Sequence, residues 1–137
     1  MSEEQAYHEI SAYTLARGDA DFIHQHVVDA WAAQHANVAS KPIGVFFALV
    51  GLYLHVERGF TGREVQRVHM ELATRPEAWP LGPLPVLRGA TTAFDVLAAP
   101  EGPERDAMIH GWARDVWNAY AQSREQVVEL LTRRGIV

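Results

Sequence analysis

The chain contains no cysteine among its 137 residues. A disulfide framework, thiolate metal ligands and cysteine nucleophiles are therefore excluded. Because reduced compartments favour chains that do not depend on disulfides, this composition predicts a cytoplasmic protein.

Long apolar runs and an excess of positive charge are also missing. The longest apolar run, IGVFFALVGLYL at 43–54, has twelve residues, whereas a membrane-spanning helix needs about 20. The opening MSEEQAYHEI is acidic and polar, unlike the basic and apolar start of a signal peptide. The net charge of −5 argues against a nucleic-acid partner, because phosphate binding needs a concentrated basic face. We therefore expect neither a membrane nor a nucleic acid as partner.

The residues that are present predict an all-α protein. Hydrophobic residues make up 48% and charged residues 21%, which is an ordinary globular balance, and the length favours one domain over residues 1–137. Apolar residues recur at helical spacing along most of the chain. We expect a four- to five-helix up-and-down bundle, with helices at about 3–17, 21–35, 42–58, 61–75 and 92–98, and a long C-terminal helix at about 103–133.

Local signals mark several of these helix ends. Thr61 and Glu64 have the spacing of a capping box, and Thr92 with Asp95 repeats it. Gly18 follows the first helix, where a left-handed C-cap is expected. Between 75 and 92 four prolines and two glycines exclude a regular element. That stretch is also apolar, so we predict an ordered loop packed on the bundle.

Three of the seven histidines lie in the stretch HQHVVDAWAAQH at residues 24–35. His24 and His35 fall on the same side of a helix but lie about 16 Å apart along it, since a helix rises about 1.5 Å per residue. One metal ion cannot bind both. His26 and Asp29 point away from the predicted apolar stripe, so we expect them on the more solvated side, as we expect for His110 on the last helix.

Counting outward from each turn of an antiparallel bundle brings His24, His55 and His69 to nearby levels. Imidazoles from facing helices are a common way to build zinc, iron or nickel sites in bundles. The predicted site has these three histidines as ligands, Tyr13 or Gln66 as a supporting partner, and an open position for water or substrate. A metal ion there would serve hydrolysis or transfer on a small molecule.

Two alternatives stand beside this hypothesis. Each histidine could instead be a structural residue, hydrogen-bonded to a backbone carbonyl, a tyrosine or a carboxylate. The whole chain could be a non-catalytic helical module that binds a partner or forms a homodimer. A metal site needs several inward His and Glu side chains at one level, whereas such a module needs an exposed apolar stripe.

The first half of the chain resembles a bacterial family of unknown function. His8 and Glu9 match a Phe-His-Glu-Leu-like stretch, and His24, Val28, Gln34 and His35 match a helix of the form His-x-x-x-Val-x-x-Tyr-x-x-Gln-His, with Trp31 in place of the tyrosine. The resemblance covers roughly the first 75 residues. It implies no activity, but it gives weight to His8, His24 and His35. Many members also carry a Cys-x-x-Cys segment, which this chain lacks. The layout is similar to that of DinB-like metal-binding bundles only in architecture.

Gln34 is unusual because it lies in the middle of the predicted apolar stripe of its helix. A buried amide must find hydrogen-bond partners. We therefore expect Gln34 to brace a neighbouring backbone or side chain.

Overall fold

The computed structural model describes residues 1–137, and every regular element in it is helical. The all-α prediction is confirmed. In chain order the helices are α1 (Glu3–Arg17), α2 (His24–Gln34), α3 (Pro42–Arg58), α4 (Gly62–Thr74), α5 (Ala93–Ala98), α6 (Pro103–Ala119) and α7 (Arg124–Arg133). None of them combines the length and the apolar character that crossing a bilayer requires.

The helix ends follow the local signals in the sequence. Thr61 and Glu64 form the reciprocal hydrogen bonds of a capping box at the start of α4. At the start of α5 the Asp95 carboxylate accepts from the Thr92 N–H at 2.9 Å. Gly18 and Gly59 end α1 and α3 in the left-handed conformation, with φ of 56° and 71°. These ends therefore depend on residues within about one turn of each boundary.

The predicted C-terminal helix is divided into two. Tyr120 leaves the helical conformation, and a short 3₁₀ turn at Ala121–Ser123 separates α6 from α7. The Tyr120 hydroxyl donates to the Ala33 carbonyl oxygen at 2.6 Å. No proline or glycine marks this break, and apolar residues continue at helical spacing through it. The sequence therefore predicted one helix.

The predicted Pro-rich loop is ordered by contacts with the bundle. Trp79 packs against Phe46 and Phe47, with ring centroids 5.9 and 5.1 Å apart. Gln34 on α2 donates to the Thr91 carbonyl oxygen at 2.8 Å and accepts from the Trp112 indole at 2.9 Å. The prediction that Gln34 braces its neighbours is confirmed, since it ties α2 to both the loop and α6.

Helix α2 lies at the centre of the fold and contacts α1, α3, α4 and α6. Such a helix has no broad solvated side. Its polar residues are therefore buried or brought against side chains of the surrounding helices, and this central position assembles the site described next.

Candidate functional site

Three histidines from three helices meet at one end of α3. His26 on α2 stacks on His55 of α3, with ring centroids 3.5 Å apart and planes inclined by 17°. His55 Nε2 lies 2.9 Å from Nδ1 of His110, which comes from α6. The centroids of His26 and His110 are 6.0 Å apart. These three residues are called the histidine cluster below.

The backbone at the end of α3 fixes the tautomer of His55. The left-handed Gly59 turns the chain back, so that Phe60 donates its N–H to Leu54 and its carbonyl oxygen lies 3.0 Å from His55 Nδ1. A carbonyl only accepts, so Nδ1 carries the proton of neutral His55. Its Nε2 is then the acceptor, and His110 Nδ1 is the donor.

Burial keeps the cluster uncharged. Burial, together with the smaller effect of the nearby His55 and His110, lowers the pKa of His26 to about 2. Burial is also the main cause of the lowered pKa values of His55 and His110, to which the positive charge of Arg114 adds. Hydrogen bonding of His55 to Phe60 and the negative charge of Asp106 oppose these shifts in part. The rings are therefore neutral near pH 7, the form in which imidazole binds metals or accepts protons.

A cavity of about 420 Å³ opens beside the cluster, lined by all three histidines. Its walls carry the carboxylates of Asp19, Asp21 and Asp106, while its one guanidinium, that of Arg17, is paired with Asp106. Asp19 accepts a hydrogen bond from Ile23 through Oδ2, but its buried Oδ1 has no partner. The cavity is therefore polar and acidic, and one of its lining carboxylates has a buried oxygen without a partner.

A smaller cavity of about 170 Å³ lies against the same histidine pair. His55, Val56, His110 and Arg114 line it. No carboxylate belongs to this lining, so the two cavities that share His55 and His110 differ in charge.

The structure does not bring the three predicted ligands together. The Nδ1 atom of His24 lies 2.9 Å from the Thr14 hydroxyl on α1. His69 stacks on Phe47 and places Nε2 2.7 Å from the Phe47 carbonyl oxygen. Phe47 precedes His55 by eight residues on α3, about 12 Å along a helix. His55 alone of the predicted ligands belongs to the histidine cluster.

Neither predicted supporting residue bonds to a histidine. The Tyr13 hydroxyl accepts from the Gly102 N–H at 2.8 Å, and Gln66 accepts from Arg63 at 3.0 Å. No group of three or more His, Cys, Asp or Glu side chains in the structure is arranged to hold a metal ion.

The expected solvation of His26, Asp29 and His110 was wrong. His26 and Asp29 are each only 3% exposed, and His110 is half-buried. The reason is the central position of α2, which has helices on the sides that a peripheral helix would present to water. Ala33 is the signal in the sequence that could have revealed this, because it lies seven residues after His26, on the same face, and is small enough for close packing.

The histidines favoured by the family resemblance lie elsewhere. His8 is exposed and lies 3.5 Å from Glu4. His35 stacks on Trp31 at 3.6 Å, and its Nε2 is 3.3 Å from Glu3. Neither ring contacts the histidine cluster.

The comparisons with known proteins give a family and no activity. No curated protein and no solved structure matches the chain, so the DinB-like analogy has no support from them. A family model described as "Family of unknown function (DUF5946)" matches residues 4–121. That match spans most of the chain and includes His26, His55 and His110, so the protein belongs to this family of unknown function.

Proposed function

We propose that the protein binds a divalent transition-metal ion at the histidine cluster and uses it on a small polar molecule held in the larger cavity. The observation that carries this proposal is the 2.9 Å separation of His55 Nε2 and His110 Nδ1. Two nitrogen ligands on bonds of about 2.05 Å lie about 2.9 Å apart at right angles and about 3.3 Å apart in a tetrahedral site. The hydrogen-bonded pair is therefore within about half an ångström of the spacing of two neighbouring ligands.

The surroundings of the pair also favour a metal ion. Metal-binding histidines usually donate their second N–H to a carbonyl or carboxylate, which aims the other nitrogen at the ion. The Phe60 carbonyl oxygen has this relation to His55. Because burial keeps the rings neutral, neither has to lose a proton to the solvent. His110 has to move its proton from Nδ1 to Nε2 before Nδ1 can bind the ion.

His26 supplies the third ligand in this proposal. Its ring is stacked on His55 and not directed at the same point as the pair, so it would have to rotate when the ion binds. The ion that suits imidazole ligands is zinc, iron or nickel. A bound ion of this kind supplies Lewis acidity and an activated water.

The cavity residues have separate roles in this proposal. Asp19 and Asp21 place carboxylates in the wall of the larger cavity, where they would face a bound molecule. Arg17 and Asp106 form an ion pair between α1 and α6 that holds two helices at the cavity. The acidic lining favours a neutral or cationic group on the part of the molecule that enters this side.

Metal binding is tested with protein expressed without a histidine tag. We expect elemental analysis to find zinc, iron or nickel, and calorimetric titration of the metal-free protein to give one site per chain. His55→Ala and His110→Ala should each weaken the affinity at least about tenfold, because each removes a ligand.

His24→Gln and His69→Gln are the matched controls, since each removes another half-buried imidazole from the same bundle. They should bind the ion as the wild type does. Absence of binding by the wild-type protein contradicts the proposal. If His24→Gln and His69→Gln weaken metal binding instead, the ligands are those predicted from the sequence.

A further inference from the structure

The smaller cavity beside the histidine cluster has the features of an anion subsite. Arg114 lies four residues after His110 on α6, and its side chain lines the cavity together with both rings of the His55–His110 pair. Positions four apart lie on the same side of a helix. The guanidinium and the imidazoles therefore border one space of about 170 Å³.

The charge of Arg114 is not used within the protein. Arg114 takes part in none of the ion pairs of the structure. Two acidic residues of α6 are engaged elsewhere, since Asp106 pairs with Arg17 and Asp115 accepts from the Thr91 hydroxyl. An arginine without a carboxylate partner, at the wall of a cavity without acidic lining, attracts an anion.

We propose that this cavity binds an oxyanion group, a carboxylate or a phosphate, between Arg114 and the His55–His110 pair. The volume is suited to such a group and not to a whole substrate. A planar guanidinium donates two parallel hydrogen bonds to either anion. His110 Nε2 has no partner within the protein, and it donates to the anion when the ring takes up a second proton.

This inference rests on the proposed function in one respect, because it assigns the substrate class of the same site. The molecule would carry an acidic group at Arg114 and a neutral or cationic group in the larger cavity. The histidine pair, where the metal ion is proposed, lies between the two. An amino acid-like or phosphorylated amine-like molecule has this distribution of charge.

The test uses metal-free, isotopically labelled full-length protein titrated with inorganic phosphate or with acetate at constant ionic strength. We expect saturable NMR shifts at the backbone amides of residues 110–114 and 55–57 for one or both anions. Binding of phosphate alone or acetate alone identifies the class of the acidic group. Arg114→Gln should weaken the binding at least about fivefold, because it removes the only unpaired cation of the cavity.

Arg67→Gln is the control, because Arg67 on α4 is exposed as Arg114 is but lines neither cavity. Its anion binding should match that of the wild type within about twofold, as expected for a distant screened charge. The inference is overturned if neither anion gives saturable shifts there, or if Arg67→Gln weakens binding as much as Arg114→Gln.

The anion titration and the metal titration fail independently. Anion binding that persists in a protein unable to bind a divalent ion would remove the proposed metal function and leave this subsite. Metal binding with no anion response would remove this subsite and leave the proposed metal function. Arg114→Gln should not weaken the affinity for the metal, since it removes no ligand and takes a positive charge away from the proposed ligands.

Discussion

Gly62→Ala should destabilise the protein by about 3 kcal/mol or more, because the new methyl group would overlap backbone atoms that cannot rotate away. A Cβ at Gly62 would lie 1.8 Å from the Phe22 carbonyl oxygen and 2.8 Å from the Phe22 carbonyl carbon. The first turn of α4 therefore packs directly on the turn before α2. That turn is itself constrained, since Phe22 has a positive φ of 56°.

The turn is also held by a hydrogen bond from the Arg63 N–H to the Asp21 carbonyl oxygen, at 3.0 Å. Asp19, Asp21 and Ile23 line the larger cavity. Displacing the turn would thus alter the cavity wall as well as the stability. The measurement is urea unfolding, with the cavity followed through the metal affinity of the same variant.

Gly111→Ala is the matched control for this change. Gly111 lies inside α6, and a Cβ there would meet no atom within 4 Å. Alanine should therefore stabilise the protein by about 0.5–1 kcal/mol through helix propensity alone. If Gly62→Ala were as stable as the wild type, α4 would not approach the turn as closely as the structure has it.

The starts of α4 and α5 and the ends of α1 and α3 were predictable because each is decided by a few neighbouring residues. Thr61 and Glu64 satisfy one another's backbone, whatever the rest of the fold does. The stretch 61–64, which contains this capping box, does not show why position 62 is glycine. That reason is a contact with Phe22, forty residues earlier in the chain, and no local pattern reports it.

The histidine cluster shows that counting residues along helices predicts the height of a side chain in the bundle but not its direction. Counting placed His24 level with His55, and the residue that stacks on His55 is His26. Two residues change the height on a helix by only about 3 Å but rotate the side chain by about 200°. The predicted level was nearly right, and the direction was wrong. His24 therefore points to Thr14 on α1.

Whether a side chain points into the core or into solvent depends on which helices surround its own helix. The sequence does not show which helices those are. A peripheral α2 would have presented His26 and Asp29 to water, as the apolar stripe predicted. The central α2 presents them to α3 and α6 instead. Gly51 on α3 makes room for the Asp29 side chain, because a Cβ there would lie 1.9 Å from Asp29 Oδ2.

Asp29→Asn should make the protein more stable at pH 7, and the gain should grow as the pH rises. Burial raises the pKa of Asp29 well above its usual value, and the hydrogen bond from Gln25 opposes this only in part. Gln25 Nε2 donates to Oδ1 at 3.1 Å, while Oδ2 has no partner. Tyr7 on α1 is the titratable group that Asp29 affects, and no cation pairs with the carboxyl. The folded protein therefore holds Asp29 protonated.

The sign of the pH dependence follows from proton binding. Above a pH of about 4 the unfolded chain releases the Asp29 proton, whereas the folded chain keeps it. The stability that the neutral carboxyl contributes is complete below that pH and is lost as the pH rises towards the folded pKa. In that window the free energy of unfolding falls by about 1.4 kcal/mol per pH unit through this one group. An asparagine has no proton to release, so its contribution stays constant.

The decisive quantity is the difference in unfolding free energy between Asp29→Asn and the wild type, because the contributions of the histidines cancel in it. From pH 5 to pH 7 this difference should move in favour of Asp29→Asn by about 3 kcal/mol, as long as Asp29 stays protonated in the folded protein. Asp21→Asn, which removes an exposed carboxylate, is the control for the loss of a negative charge. A difference that moves in favour of the wild type as the pH rises would mean that Asp29 is ionised and partnered in the fold. In that case the centre of the bundle would contain a charge where the structure places a neutral acid against Gly51.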